Sequence, residues 1–191
     1  MKSDHSIHSS QAARSGKATQ VAFGGMLAAV SLLLMLLTRA VPFSEMALPG
    51  IAGVLLIFAV MEMGAGWALV IYVAVSLLSL LVAFENGAAL YYILFFGLYP
   101  IVKNYVERIP LRPAQWAVKL AVCNACAAAV YFATVKLFGA PGLVARYGAV
   151  LVLIAVNVVF FLYDYALSRL IVLYVYKIRK MLHLGPPSAP R

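Results

Sequence analysis

An unbroken run of apolar and small residues, Val21 to Thr38, is the feature that most limits what this chain can fold into. The run contains no charged side chain, and its 18 residues are enough for an α-helix to cross a bilayer. Such a helix has no polar face to turn toward water. The run is longer than the core of a secretory signal, and no clear small-residue cleavage site follows it before Pro42. We therefore expect it to be retained as a transmembrane helix.

Five more apolar runs follow at short intervals, separated by polar residues, glycine or proline. They are Met46–Met61, Trp67–Phe84, Ala88–Val102, Trp116–Phe138 and Tyr147–Tyr176. The run that begins at Ala88 is expected to be short and to end at Tyr99-Pro100. Hydrophobic residues make up 65% of the chain and charged residues only 11%, far from the balance of a soluble domain. These features predict an all-α polytopic membrane protein with six transmembrane helices.

The basic residues between the runs predict the orientation. Six spans place both termini on one side, and that side receives most of the bases: Lys2, Arg14, Lys17, Lys103, Arg108, Arg112, Lys177, Arg179, Lys180 and Arg191, with Lys119 close by. The other side receives only Arg39, Lys136 and Arg146. Because cytoplasmic loops are enriched in lysine and arginine, both termini are predicted to be cytoplasmic, in the cell membrane. Three regions follow: a polar segment 1–18, a membrane domain 19–180 and a flexible proline-rich tail 181–191.

Several kinds of chemistry are not expected. The net charge of +9 is spread over the chain ends and loops, so it does not indicate a nucleic-acid surface. The sequence has no phosphate-binding loop, no HExxH motif and no histidine within a run, so we expect neither an enzyme nor a metal or cofactor site. Glu62, Glu85 and Asp164 are too few for the carboxylate relay of a proton-coupled pump. Cys123 and Cys126 lie in an apolar run and are interpreted as packing residues.

Four polar residues within the runs need partners. Asn124 and Asn157 fall near the middle of the fifth and sixth runs, where an unbonded amide is unfavourable, so both should face the bundle interior. They are expected either to bond each other or nearby backbone, or to line a ligand cavity. Asp164 and Arg169 are expected to form buried ion pairs, and their spacing of five makes partners on neighbouring helices an alternative.

A small-molecule site is predicted at the outer end of the bundle. The candidate residues are charged, amide or aromatic and lie in or beside the outer turns: Arg39, Phe43, Glu45, Asn86 and Tyr91, with Asn124 and Asn157 deeper in the bundle. For any one of the outer residues taken alone, an ordinary solvated loop is the more favoured interpretation.

The first run carries small residues at four-residue spacing. Gly24 with Ala28, and Gly25 with Ala29, each form a smooth stripe that lets another helix approach closely. The stripe is predicted either to pack within the bundle or to dock a partner subunit.

These same residues carry a family resemblance. Lys17, the segment Val21–Met35, Val41-Pro42-Phe43 and the segment Ala47–Gly53 together resemble the opening of the substrate-binding S components of energy-coupling-factor transporters. The resemblance covers roughly residues 17–60. It implies a six-helix protein whose first helix docks the energising module through Gly24, Gly25, Ala28 and Ala29, and whose loop Arg39–Pro49 closes over the ligand. An orphan relative of that fold is the alternative, and the sequence matches no vitamin-specific signature.

Two functions are consistent with these features. The first is a capture subunit of a vitamin-like nutrient importer, whose partners would be a transmembrane coupling subunit, ATPase subunits, the substrate and membrane lipid. The second is a non-transporting scaffold of a cell-envelope complex, in which the polar residues only join helices.

Overall fold

The structure is a computed structural model that describes the backbone of residues 3–41, 44–83, 87–139, 144 and 147–178. Side chains are described from residue 18 onward within those ranges, except at residues 82, 137, 138, 177 and 178. The described residues are helical and include no strand. The predicted tail 181–191 lies outside them.

Seven α-helices make up the described fold. They are α1 (Ser3–Leu37), α2 (Ala47–Met63), α3 (Ala65–Ala83), α4 (Ala88–Tyr91), α5 (Leu98–Val106), α6 (Arg112–Phe138) and α7 (Ala149–Leu173). A π-helical segment, Tyr92–Phe96, joins α4 to α5, and a second one, Tyr174–Ile178, continues α7. The polar residues before Ala18 and the first apolar run therefore belong to one helix.

Four helical stretches are long and apolar enough to cross a membrane: Ala18–Leu37, Ala88–Val106, Arg112–Lys136 and Ala149–Tyr176. Two others, Ala47–Met63 and Ala65–Leu81, are apolar but shorter. Because apolar helices of this kind need lipid around them, they indicate a membrane protein.

The break between α2 and α3 is a single residue. Gly64 has φ +86°, a backbone conformation that side-chain-bearing residues rarely adopt, and its N–H still bonds the Val60 carbonyl at 3.1 Å. The predicted runs Met46–Met61 and Trp67–Phe84 left five residues between them, but the two helices extend into that interval and leave only Gly64. A glycine at the end of α2 reverses the chain without further loop residues.

The stretch Ala88–Val106 corrects a second expectation. The sequence predicted a short helix ending at Tyr99-Pro100, but the helical path continues through Pro100 to Val106. Of the four long stretches it is the most deeply enclosed by other helices. We call it the central helix.

The remaining helices surround the central helix in two groups. Helices α1, α2 and α3 pack mainly on one another through an apolar core that includes Leu27, Met35, Leu56, Ile71 and Val75. Helices α6 and α7 pair with each other and contact the central helix through a second core formed by Ile57, Tyr99, Cys123, Phe160 and Leu167. Just after α7, the Tyr174 hydroxyl donates to the Glu62 carboxylate at the end of α2, at 3.0 Å.

Candidate functional site

The middle of the central helix departs from α-helical hydrogen bonding. The Gly97 N–H donates to the carbonyl of Tyr92, five residues back, at 2.8 Å. This shift leaves the carbonyl of Ile93 without its α-helical donor, and the Tyr72 hydroxyl of α3 donates to it at 2.7 Å. Because freed backbone groups at membrane depth must be satisfied by protein, the tyrosine compensates the break.

Pro100 causes a second missing backbone hydrogen bond in the central helix. It has no N–H to donate to the Phe96 carbonyl four residues back. The Tyr163 hydroxyl of α7 lies 3.5 Å from that oxygen and 3.5 Å from the carbonyl of Gly50 on α2. Gly53 faces the same carbonyl so closely that a Cβ at this position would overlap the Phe96 oxygen. The helix continues past Pro100 because Tyr163 and Gly53, on neighbouring helices, accommodate the Phe96 carbonyl that the proline leaves without a donor.

The hydroxyl of Tyr92 is a polar group without an evident partner beside the break in the central helix. The side chain is 0% exposed, and its hydroxyl has no hydrogen-bond partner in the described part of the chain. A buried hydroxyl without a partner is uncommon in native proteins because it has given up its bonds to water. Its ring lies 6.2 Å from that of Tyr72, which itself bonds the broken backbone.

A cluster of charges lies at the end of the bundle where α5 ends and α6 begins. Asp164 of α7 is at its centre, with a side chain only 6% exposed. Its Oδ1 accepts hydrogen bonds from the Tyr99 hydroxyl at 2.6 Å and from Lys103 Nζ at 2.5 Å. Lys119 Nζ of α6 lies 3.1 Å from both carboxylate oxygens. Three helices are thus joined at one carboxylate.

The charges of this cluster balance. The Lys103 side chain is 1% exposed and the Lys119 side chain 7%, so two buried cations face one buried anion. Glu107 provides the second negative charge, at 2.7 Å from Lys103 and 3.4 Å from Lys119, and its side chain is 41% exposed. Ser168 completes the bonds of Lys103 by accepting at 2.9 Å. Buried charges persist only when paired and bonded in this way.

More charge is buried in this cluster than the sequence suggested. Lys103 and Lys119 were expected among the bases at the cytoplasmic membrane surface, but both are buried in ion pairs. The spacing of Lys103 and Glu107, four residues apart on one helix face, was the available signal. The expected partners of Asp164 on neighbouring helices are present. Arg169 instead bonds the Tyr165 hydroxyl at 2.9 Å.

The two asparagines bond each other. The side-chain nitrogen of each lies within hydrogen-bonding distance of the other's side-chain oxygen, at 3.4 Å from Asn124 to Asn157 and 3.2 Å in the reverse direction. Each also donates to the carbonyl four residues earlier in its own helix, at 2.8 Å. The interpretation that they join two helices is confirmed. Their role in substrate binding stays a prediction.

The predicted outer site is described only in part. Arg39 and Glu45 are exposed beside the α1–α2 connection, and Tyr91 is half-buried in α4, next to Tyr92. Phe43 and Asn86 lie outside the described residues. Tyr91 precedes Lys103 by twelve residues on the central helix, so the described part of the predicted site lies toward the other end of the bundle from the charge cluster.

The stripe of small residues on α1 divides into two sides. Gly24 is buried, and a Cβ there would lie 3.2 Å from the Ile71 side chain of α3, while Ala28 packs against the apolar core. Gly25 and Ala29 are exposed, and a Cβ on Gly25 would meet nothing within 4 Å. One side therefore packs inside the bundle and the other faces outward.

Comparison of the chain with protein-family models, curated protein sequences and solved structures gave no match.

Proposed function

We propose that the chain is a six-span membrane protein with both termini in the cytoplasm, and that it captures a small polar nutrient for an importer energised by a separate ATPase module. The two shorter helices, α2 with 17 residues and α3 with 19, fall within the range of about 17 to 25 that spans a bilayer. Adding them to the four long stretches gives six spans.

The charge distribution supports this orientation even when the buried lysines are left out. Nine bases remain on the proposed cytoplasmic side: Lys2, Arg14, Lys17, Arg108, Arg112, Lys177, Arg179, Lys180 and Arg191. Three remain on the other side: Arg39, Lys136 and Arg146. The excess is threefold, which favours cytoplasmic termini.

The unpartnered hydroxyl of Tyr92, beside a broken helix, carries the proposal of substrate capture. Interrupted helices near the bilayer midplane form the binding sites of many transporters, because their irregular backbone offers polar groups to a ligand. Here Tyr92 begins the π-helical segment, and Tyr163 bonds the freed Phe96 carbonyl only at 3.5 Å. When the outer end opens, both hydroxyls are available to a polar ligand.

The outward side of the α1 stripe supports a separate energising partner. Gly25 and Ala29 give a flat surface on the outside of the bundle, where a second protein's helix can approach closely. The sequence contains no nucleotide-binding loop, so energy would come from that partner. The resemblance to S components suggests an ATPase bound through a transmembrane coupling subunit.

The experiment is mass spectrometry of small molecules that stay with the chain through purification in mild detergent. A stoichiometric compound is expected with the native chain and not with Tyr92→Phe, which removes one oxygen and leaves the ring. Thermal unfolding should be unchanged in this variant, because the hydroxyl makes no bond that would be lost. Absence of any compound, or its equal retention by Tyr92→Phe, would contradict the proposal.

A scaffold without transport activity is the second candidate. It is favoured by the mutual pairing of the polar groups, since Asn124 and Asn157 bond each other and Asp164 is fully bonded by its neighbours. A scaffold would yield no compound in the same purification, and Gly25→Leu would still release a stoichiometric membrane partner.

A further inference from the structure

Two adjoining clefts form a groove between α6 and α7, at the end of the bundle that holds the charge cluster. They share Trp116, Asp164 and Ser168. The first, of about 480 Å³, is otherwise lined by Glu107, Pro110, Arg112, Gln115 and Lys119. The second, of about 370 Å³, is otherwise lined by Phe161, Leu162 and Tyr165.

The polarity of this groove changes with depth. Helix α6 begins at Arg112, so the first cleft lies at the end of the bundle, near the membrane surface. Phe161 precedes Ser168 by seven residues on α7, which places it about 10 Å farther from that end. The Trp116 and Phe161 rings lie 5.2 Å apart and both are exposed. The groove is therefore polar at the surface and aromatic toward the bilayer interior.

Unpaired cations flank the groove. Arg112, which lines its polar part, is exposed and has no ion-pair partner among the described residues. Arg169 also has no carboxylate partner in the described part of the chain, and its guanidinium lies 5.1 Å from the ring centre of Tyr165, which lines the aromatic part. Lys119 is already bound to Asp164. An exposed guanidinium near the membrane surface is free to bind the phosphate of an anionic headgroup, whereas the two buried lysines are already paired.

We propose that the groove binds an anionic phospholipid, with its phosphate at Arg112 and one acyl chain along Trp116 and Phe161. A soluble phosphate would bind only in the polar part of the groove. A lipid would place its headgroup in the polar part, near the membrane surface, and its acyl chain along the aromatic part. Basic pockets between helices on the cytoplasmic side of membrane proteins bind anionic headgroups, and the groove opens on the proposed cytoplasmic side. The inference concerns a different surface from the substrate site near Tyr92.

The fluorescence of Trp116 measures directly which lipid occupies the groove. The sequence contains two tryptophans, so Trp67→Phe leaves Trp116 as the only one. The variant is reconstituted in phosphatidylcholine vesicles with increasing amounts of brominated phosphatidylglycerol or, separately, brominated phosphatidylcholine, since bromine quenches tryptophan fluorescence on contact. We expect half-maximal quenching at an about fivefold lower mole fraction of the anionic lipid, the factor that one basic residue contributes near an anionic surface.

Arg108 supplies the matched control. It is exposed, precedes Arg112 by four residues and lies over the Tyr105 ring at 5.3 Å, without lining the groove. Arg112→Gln should remove the preference for the anionic lipid, and Arg108→Gln should retain it. Equal quenching by the two brominated lipids would overturn the proposal. An equal loss of the preference in both arginine variants would also overturn the proposal, because it would show a diffuse charge effect. Full competition by soluble glycerol phosphate would overturn it as well, because the groove would then bind a phosphate without a lipid.

Native mass spectrometry of the chain with both tryptophans provides an independent measurement. Phosphatidylglycerol should remain bound to the native protein and to Arg108→Gln, but not to Arg112→Gln. Loss from all three proteins would count against a defined site.

Discussion

Helices α1 to α3 and the helices after Ala88 are held together by different interactions. In the first group the buried hydroxyls of Ser31, Thr38 and Ser79 bond carbonyls of their own helices, and contact between helices is apolar. In the second group, hydroxyl, amide and charged side chains bond across helices. Lipid is as apolar as leucine, so apolar packing alone gives little preference for one arrangement, whereas a polar bond specifies which groups meet.

The two groups of helices should therefore respond to different kinds of substitution. The first group depends on the fit of small residues, so it is sensitive to size and indifferent to charge. The second group depends on pairing, so removing one partner leaves the other unsatisfied in a medium without water. Substitutions that distinguish size from pairing therefore test the comparison.

The largest effect is expected at Asp164. Asp164→Leu leaves Lys103 and Lys119 buried with only the half-exposed Glu107 as partner, and we expect the free energy of unfolding to fall by about 3–5 kcal/mol. Thermal unfolding of the purified protein in detergent measures this loss. Replacing both lysines by methionine in the same variant should restore much of the stability, because the charge that then lacks a partner, Glu107, is 41% exposed and no unpaired charge remains buried. If the triple variant were as unstable as Asp164→Leu, charge pairing would not be the cause.

Gly53 tests size sensitivity where the two groups meet. Gly53→Ala places a methyl group against the Phe96 carbonyl and should lower the free energy of unfolding by about 1–3 kcal/mol, since backbone cannot move aside easily. Gly50→Ala on the same helix is the control, because its Cβ would lie 3.4 Å from the Phe96 ring, an ordinary contact. Equal unfolding temperatures for the two variants would show that the close approach at Gly53 is unimportant.

The asparagine pair should contribute less. Asn124→Leu is expected to lower the free energy of unfolding by about 0.6–2 kcal/mol, the range measured for polar bonds between membrane helices. The double variant with Asn157→Leu should be no less stable than either single variant, because it leaves no amide unpaired. Additive losses in this double-mutant cycle would mean that the two amides act independently.

The smallest effect on the isolated protein is expected at Gly25. Gly25→Leu should leave its unfolding temperature unchanged because the position faces open space, whereas Gly24→Leu should lower it by overlap with Ile71. Co-purification with an energising complex should fail in Gly25→Leu if the outward side of α1 is the docking surface. Destabilisation by Gly25→Leu would instead place this residue in the bundle's own packing.

Much of the fold could be predicted because apolar runs of bilayer length have few alternatives to helix. The mutual bond of Asn124 and Asn157 was one of the outcomes expected for two amides near the middle of apolar runs. The continuation of the central helix through Pro100 could not be predicted. Proline interrupts a regular α-helical ladder, and only the tertiary contacts of Tyr163 and Gly53 show that this gap is accommodated. The burial of Lys103 was missed because a base at the end of an apolar run usually marks the membrane surface.

The pairing of Lys103 with Asp164 also has a consequence for biosynthesis. The two residues are 61 positions apart, so at about 5–20 residues per second the ribosome adds the aspartate roughly 3–12 s after the lysine. In that interval Glu107 is the only acidic residue made. Until α7 is made, Lys103 therefore has Glu107 but not Asp164 as a partner, and the central helix should reach its final packing only after α7 has been added.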